Sequence, residues 1–331
     1  MNGKIGKLIV TLIYSIALSS ISPRSLHSSE STALADTLYW IPEIIVEAKR
    51  ITREEKLLSL SGFVASLELE GQKENIRDIP EILSSIVGVR VKQYGGLGSF
   101  ATVSIRGSSS NQVMVYLDGV PLNDPFMGSS DLSDIPVVGI ERVEVYRGFS
   151  PFEFGSSAIG GAINLSTEIT PGNTTSKKNS LSIAASNGSF GTRRYTLSTY
   201  SKRNRISMRL NGMFLTSRGD FDFLDDRATP ENPEDDIETK RENNDFTLWN
   251  LIGSLSFTAP FDSKISFVHL LTRREGGVPG IGSYQSTIAR SERTRNISYL
   301  KFELPSALQK RINFKVRVFR STIREKFHDP L

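Results

Sequence analysis

At 331 residues, with 38% hydrophobic and 9% aromatic side chains and 26 glycines, the chain has the composition of an ordered protein with room for two domains. Its 40 basic and 36 acidic residues are interleaved and leave a net charge of only +4, which argues against a nucleic-acid surface built on a basic patch. The absence of cysteine removes disulfide scaffolds, thiolate metal sites, iron–sulfur clusters and thiol nucleophiles, and the three histidines, His27, His269 and His328, are too dispersed to suggest a local metal site.

In chain order, Lys4 and Lys7 precede the apolar run Leu8 to Leu18, and polar residues then lead to Ala33-Leu34-Ala35. This is the order of a secretory signal peptide, expected over residues 1–35. The run is well short of the ~20 apolar residues that a transmembrane helix needs. No later run approaches that length either, so a membrane role has to come from strands. The next segment, residues 36–50, contains Glu43-Ile44-Ile45-Val46-Glu47-Ala48. Its β-branched residues favour an extended backbone that can add to another protein's sheet edge, or form the first edge strand of the following domain.

A mixed α/β domain is expected over residues 51–168. Asp78 can cap a helix that has Pro80 in its first turn and Glu81 closing a capping box. Ile82, Leu83, Ile86 and Val87 would line one face of that helix, and Gly88 would stop it. Short strands follow at Val89 to Val91, Ala101 to Arg106 and Val113 to Leu117, the last entering the turn Asp118-Gly119-Val120-Pro121. A further strand spans Ile140 to Gly148 and alternates at its centre. Gly96-Leu97-Gly98-Ser99-Phe100-Ala101 fits a dinucleotide-binding GxGxxA, with Asp118 at a suitable distance. Such a motif must open a helix, whereas Ala101 to Gly107 reads as a strand, so no cofactor is inferred.

From residue 178 to 331 seven strands are expected, at Leu181 to Ala185, Tyr195 to Tyr200, Arg205 to Leu215, Asp245 to Ala259, Lys264 to Leu271, Ile297 to Leu304 and Arg311 to Phe319. In the third, Ile206, Met208, Leu210 and Phe214 oppose Ser207, Arg209 and Asn211 with period two. Alternation alone fits an apolar-out membrane barrel and an apolar-in soluble sandwich equally. Link lengths favour the barrel: Ser201 to Asn204, Pro260 to Ser263 and Pro305 to Lys310 are short, whereas Thr216 to Asn244 and Thr272 to Arg295 are long. Asn187 to Gly191 breaks the alternation. The Thr216 to Asn244 link is acidic, as a solvated surface loop or a cation-binding one would be.

Six pieces in order, Asp78-Ile79-Pro80-Glu81-Ile82-Leu83, Gly88-Val89-Arg90-Val91, Ser104-Ile105-Arg106-Gly107, Val115 to Pro121, Ile140 to Gly148 and Gly155 to Asn164, resemble the plug of TonB-dependent outer-membrane receptors. The family has a proline after the second Arg-Gly and a tyrosine before the following glycine, where this chain has Phe149 and Phe154. The resemblance implies a mixed α/β plug followed by antiparallel transmembrane β-barrel strands. Glu43, Ile44, Ile45, Val46, Glu47 and Ala48 would then be the TonB box, pairing with the periplasmic energy-coupling protein TonB. Arg106 and Arg147 would face glutamates of the barrel wall, a guanidinium there needing a carboxylate partner. Plug apices at Tyr94 to Phe100, Ser108 to Gln112 and Leu122 to Gly128 would meet ligand, which nominates Tyr94, Asn111, Gln112, Asn123, Asp124 and Phe126.

Family receptors close about 22 strands around the plug. Seven strands make an incomplete barrel, and an open edge in lipid would leave backbone groups unpaired at several kcal/mol apiece, so a fragment, a truncated reading frame or half of a split receptor is expected. The implied function is active uptake, across the outer membrane, of a large chelate of the ferric siderophore, cobalamin or haem class. Arg274 to Gly280 resembles a loop common among vitamin B12 and siderophore receptors. The partners implied are TonB, outer-membrane lipid and the chelate. With no nucleophile–base constellation, GxSxG or P-loop, neither an enzyme, a resident metal nor a cofactor is expected. Two rival readings are a non-transporting ligand-sensing or docking module and a secreted soluble β protein.

Overall fold

A computed structural model describes residues 63–69, 78–155, 158–168, 179–281, 284–306 and 312–330. The expected signal peptide and Glu43 to Ala48 lie outside the described residues.

The first half builds a small mixed domain. Asp78 sits in extended backbone and its Oδ1 accepts from the Glu81 amide at 2.9 Å, starting helix α1 (Ile79–Ser84) with Pro80 in the first turn. Ile79, Ile82 and Leu83 are buried, and Ile86 follows them inward. Val87, expected on the same face, is instead 84% exposed, because the helix has ended at Ser84 and the chain turns at Gly88. Strands β1 (Val64–Glu68), β2 (Val89–Gln93), β3 (Ala101–Ile105), β4 (Val113–Leu117), β5 (Val120–Pro121), β6 (Arg142–Arg147) and β7 (Gly161–Ser166) complete the domain. Gly96 to Ala101 leads into β3 rather than into a helix.

A five-stranded sheet runs β1-β6-β7-β4-β5, antiparallel except for the β4–β7 pair, while β2 and β3 form a separate antiparallel pair. The β4–β5 connection is two residues, with Asp118 and Gly119 both at positive φ, as a type I′ hairpin turn requires. In β6, Glu144 is fully buried opposite Asn164 of β7. Arg142 Nε at 3.0 Å, Asn164 Nδ2 at 2.9 Å and the Tyr146 hydroxyl at 3.1 Å all donate to it. Asn164 Oδ1 in turn accepts from the Gly119 amide. The Arg-x-Glu-x-Tyr spacing of this strand thus supplies a buried carboxylate together with two of its donors, which removes the penalty of an unpaired buried charge.

The second half is one seven-stranded antiparallel sheet in sequence order, made of β8 (Asn179–Asn187), β9 (Arg193–Arg203), β10 (Ile206–Ser217), β13 (Phe246–Thr258), β14 (Lys264–Gly277), β17 (Arg290–Ser306) and β18 (Ile312–His328). All seven expected strands are present. The last four links differ in kind from expectation only at one place: Thr272 to Arg295 is not mostly loop, because β14 extends to Gly277 and β17 begins at Arg290. Small hairpins β11 (Asp222–Asp225) with β12 (Ile237–Lys240), and β15 (Gly280–Ile281) with β16 (Tyr284–Gln285), decorate the two long links.

Register assigns the faces of this sheet. Met208, Leu255, Phe267, Leu300 and Val318 form one row across five strands and face away from the mixed domain, all of them exposed or nearly so. On the opposite face Ile252, Val268, Leu270, Ile297 and Tyr299 are buried and belong to the same apolar cluster as the plug residues Val115, Leu132 and Ile140. The mixed domain is therefore packed against the inward face, and large apolar side chains line the outward one. At about 1.5–3 kcal/mol per fully buried large side chain, this shared core is a main source of docking energy.

Candidate functional site: the contact between plug and wall

Cations on the inward face of the sheet meet carboxylates of the plug, with Glu303 as an acid of the sheet itself beside Lys301. Three contacts organise the boundary.

The first lies at the plug segment Leu122 to Asp134. Arg293 of β17 is buried and reaches Asp124 at 3.3 Å, Asp131 at 3.5 Å and Asp134 at 3.0 Å. Arg274 of β14 lies 3.9 Å from Asp131 and donates to Ser133 Oγ at 3.3 Å, and Arg295 donates to the Leu122 carbonyl at 2.6 Å. Thr272 adds a hydrogen bond to the Asp134 carbonyl. Asp131 also caps its own turn, accepting from the Ser133 amide and hydroxyl and from the Ala101 amide of β3. Burial, with Asp131 beside it, pushes the Asp134 carboxyl up to about 6 against the pull of Arg293, Arg295 and Arg274.

The second contact is at the β4–β5 turn. Asp118 accepts from the Thr167 amide at 2.9 Å, from the Thr167 hydroxyl at 2.5 Å and from the Tyr299 hydroxyl of β17. Arg317 of β18 donates to the Gly119 carbonyl at 3.1 Å, so close that a Cβ on Gly119 would collide with the guanidinium.

The third is where the plug chain leaves its sheet. Arg209 of β10 pairs with Glu141 at 3.3 Å and donates to the Thr167 carbonyl at 2.5 Å. Glu168 meets Lys301 at 2.8 Å and Lys264 at 3.7 Å. Burial alone would raise Glu168, but Lys301 and Lys264 outweigh it and hold the carboxyl down at about 2.

The residues nominated by resemblance fall in different environments. Arg147 donates twice to the Val87 carbonyl, at 2.9 and 3.1 Å, and Arg106 lies over the Phe63 ring at 5.5 Å. Both of these contacts are within the plug. Asn123 is committed to its own loop, donating to the Val113 and Gly128 carbonyls and accepting from the Val115 amide. Asp124 is buried, accepts from the Phe126 amide and faces Arg293. Gln112 accepts from the Ser109 amide while both it and Asn111 stay exposed. Tyr94 is more than half exposed, with Lys92 over its ring, and Phe126 is fully exposed.

Residues 64–162 match the TonB-dependent receptor plug domain family. The mixed domain of this chain is a plug domain of the TonB-dependent receptor kind. It is 34% identical over 126 residues to a vitamin B12 transporter of Vibrio cholerae, a match covering 38% of this chain and 20% of that one. Solved structures similar to it include the FrpB iron transporter of Neisseria meningitidis, with TM-score 0.62, 14% identity, 79% of this chain covered and 41% of that one. The copper transporter OprC superposes with TM-score 0.61 at 17% identity, covering 78% of this chain and 36% of the other. The chain spans about a fifth of the length of the curated relatives it matches. In the plug, Asp124, Asp131 and Asp134 of the Leu122 to Asp134 segment converge on one wall cation, Arg293, a grouping that no local sequence pattern marks. Their partners Arg293 and Arg295 fall in the stretch Thr272 to Arg295, expected as a link, and it is the start of β17 at Arg290 that places them in the strand.

Proposed function

We propose that this chain supplies the plug and a neighbouring part of the barrel wall of an outer-membrane importer, driven through TonB, for a large chelate of the ferric siderophore, cobalamin or haem class. The observation that carries the proposal is the two-faced sheet. Its inward side is matched by charge and apolar packing to a separate folded plug, while its outward side presents large exposed apolar side chains in a row across five strands, suited to lipid. A plug held this way blocks the lumen at rest, and a discrete set of ion pairs and hydrogen bonds must be broken to open it. The work comes from outside the chain, so no catalytic group is required.

Glu43 to Ala48 are the segment through which TonB acts, by strand addition. Exposed Tyr94 and Phe126, with Asn111 and Gln112 beside them in the apical loops, are the plug side chains best placed to meet ligand; Asn123 and Asp124 shape and anchor that apex. Arg106 and Arg147 are plug cations for acidic side chains of the wall.

The test is uptake of labelled cyanocobalamin, haem and a ferric catecholate by cells carrying the complete receptor, with and without Ile45→Pro, which removes a backbone donor from the added strand. Loss of uptake with surface binding retained is expected; uptake indifferent to the proline sinks the transport reading.

A further inference from the structure

Three guanidiniums stand together on the inward face. Arg274 of β14 and Arg293 of β17 are register partners, and Arg295 follows two positions along the same face. Register partners sit about 5 Å apart and alternate residues about 7 Å, so these like charges repel unless acids lie among them. Arg293 is three residues from the start of β17 at Arg290, and Arg274 three from the end of β14 at Gly277. The trio therefore lies about 10 Å below the ends of this strand pair, on the side of the long links.

Among the described residues the acids paired with Arg274 and Arg293 all come from the plug. Glu325 of β18, opposite Arg293 in register, is exposed and makes no ion pair with it. Arg295 lies inside the sheet, between Thr272 of β14 and Ile323 of β18, and is only 1% exposed. It donates to the Leu122 carbonyl, has no ion pair among the described residues, and its Nε and Nη2 are buried without a hydrogen-bond partner. Unmatched buried donors cost stability, an arrangement that favours any anion able to reach them.

The cover over the trio is thin. Asp124 Oδ1 accepts from the amides of Phe126 at 2.8 Å and Met127 at 3.3 Å, the exposed tip of the apical turn, while its Oδ2 accepts from Arg293 at 3.3 Å. One carboxylate thus joins the tip to the trio, and contact that reorients the tip withdraws an acid from Arg293.

From this juxtaposition we infer that the imported chelate is anionic, its acid groups exchanging with Asp124, Asp131 and Asp134 for the three arginines. The plug aspartates are stand-ins for the cargo: they neutralise the trio at rest and give way as the cargo's oxygens arrive. Guanidinium forks match carboxylate or catecholate oxygens, whereas a neutral chelate brings no charge to replace a displaced aspartate. This rests on the importer reading above and narrows its ligand to acid-bearing chelates.

The test is surface binding, at neutral pH, of two iron-labelled chelates of similar size by de-energised cells carrying the complete receptor: a negatively charged ferric tricatecholate and a neutral ferric trihydroxamate. The wild type should bind the tricatecholate several-fold more tightly. Arg295→Gln should cut that preference several-fold, Arg295→Lys should keep part of it, and Asp134→Asn, which removes a competing acid, should raise it. A merely structural defect would weaken both chelates together and leave their ratio alone. An unchanged ratio in either Arg295→Gln or Asp134→Asn therefore overturns the exchange. Binding and energised uptake of the neutral chelate or of cyanocobalamin alone overturns the anionic class and leaves the importer reading standing. Uptake of none of the three removes both.

Discussion

The hydroxyl of Tyr299, on the inward face of β17, donates to the same carboxylate oxygen of Asp118 that Thr167 holds from the plug's exit strand. One wall side chain thus closes a contact between the β4–β5 turn and the end of β7. Tyr299→Phe keeps the ring in the shared core and removes only the donor. Asp118 retains Thr167, so the expected loss is about 1–3 kcal/mol, the range for a buried charged acceptor deprived of one partner. Urea unfolding of the plug in detergent, followed by limited proteolysis, measures it; an unchanged midpoint would mean that the hydroxyl is dispensable.

Arg293 is the hub of the upper contact, and removing it leaves Asp124, Asp131 and Asp134 close together and buried. Arg293→Ala should destabilise plug docking by about 3–5 kcal/mol, as expected for a broken buried pair. Combining it with Asp134→Asn should restore part of that loss. Strict additivity of the two changes would show that the residues are not coupled.

The same cluster gives a signed pH dependence. Asp134 has its pKa raised in the folded state to about 6, so between roughly pH 4 and 6 the docked plug binds more protons than the unfolded chain, and stability from this group falls as pH rises through that window. Glu168 acts in the opposite sense: its pKa is lowered to about 2, so its contribution is present above the unfolded value near 4.5 and is lost as pH falls toward 2. Docking stability measured from pH 4 to 7 should decline more steeply in the wild type than in Asp134→Asn. Parallel slopes would remove Asp134 as the cause.

Gly119 adopts φ of +76° beneath the Arg317 guanidinium. Gly119→Ala adds both left-handed strain and a steric clash, at a cost of about 1–3 kcal/mol. Gly119→Ala in an Arg317→Ala background should cost less, because only the backbone term remains. The comparison of thermal midpoints separates the two.

In the outer links, Asn243 donates to the Ser286 and Ala289 carbonyls at 2.9 and 2.8 Å and accepts from Arg290, which also makes a two-pronged pair with Asp245. That hydrogen bond, with the charge of Arg290, lowers the Asp245 carboxyl below its ordinary range. Asn243→Ala should free the 278–289 link and raise its rate of protease nicking several-fold without moving the plug's urea midpoint.

Much of this architecture is local and was therefore legible. Asp78 with Pro80 announces α1, Asp118-Gly119 announces a hairpin, and the alternation through Ile206, Met208 and Leu210 announces a strand with one apolar face, because capping, positive φ and period two depend only on near neighbours in the chain. What alternation could not reveal is which face points inward, since an apolar-out wall and an apolar-in sandwich share one pattern. Only the packing of Ile252, Val268 and Ile297 against the plug decided it. The same holds for charge. Arg293 and Asp134 are 159 positions apart in the numbering, and the stretch expected as a link pairs as strand with β14 and β18 and carries Arg293 to its buried carboxylate partners. The sequence by itself determined the elements and their order, since those follow from local stereochemistry. The tertiary structure decided which ionic groups are buried together, because an ion pair's worth depends on the desolvation that only the assembled interface imposes.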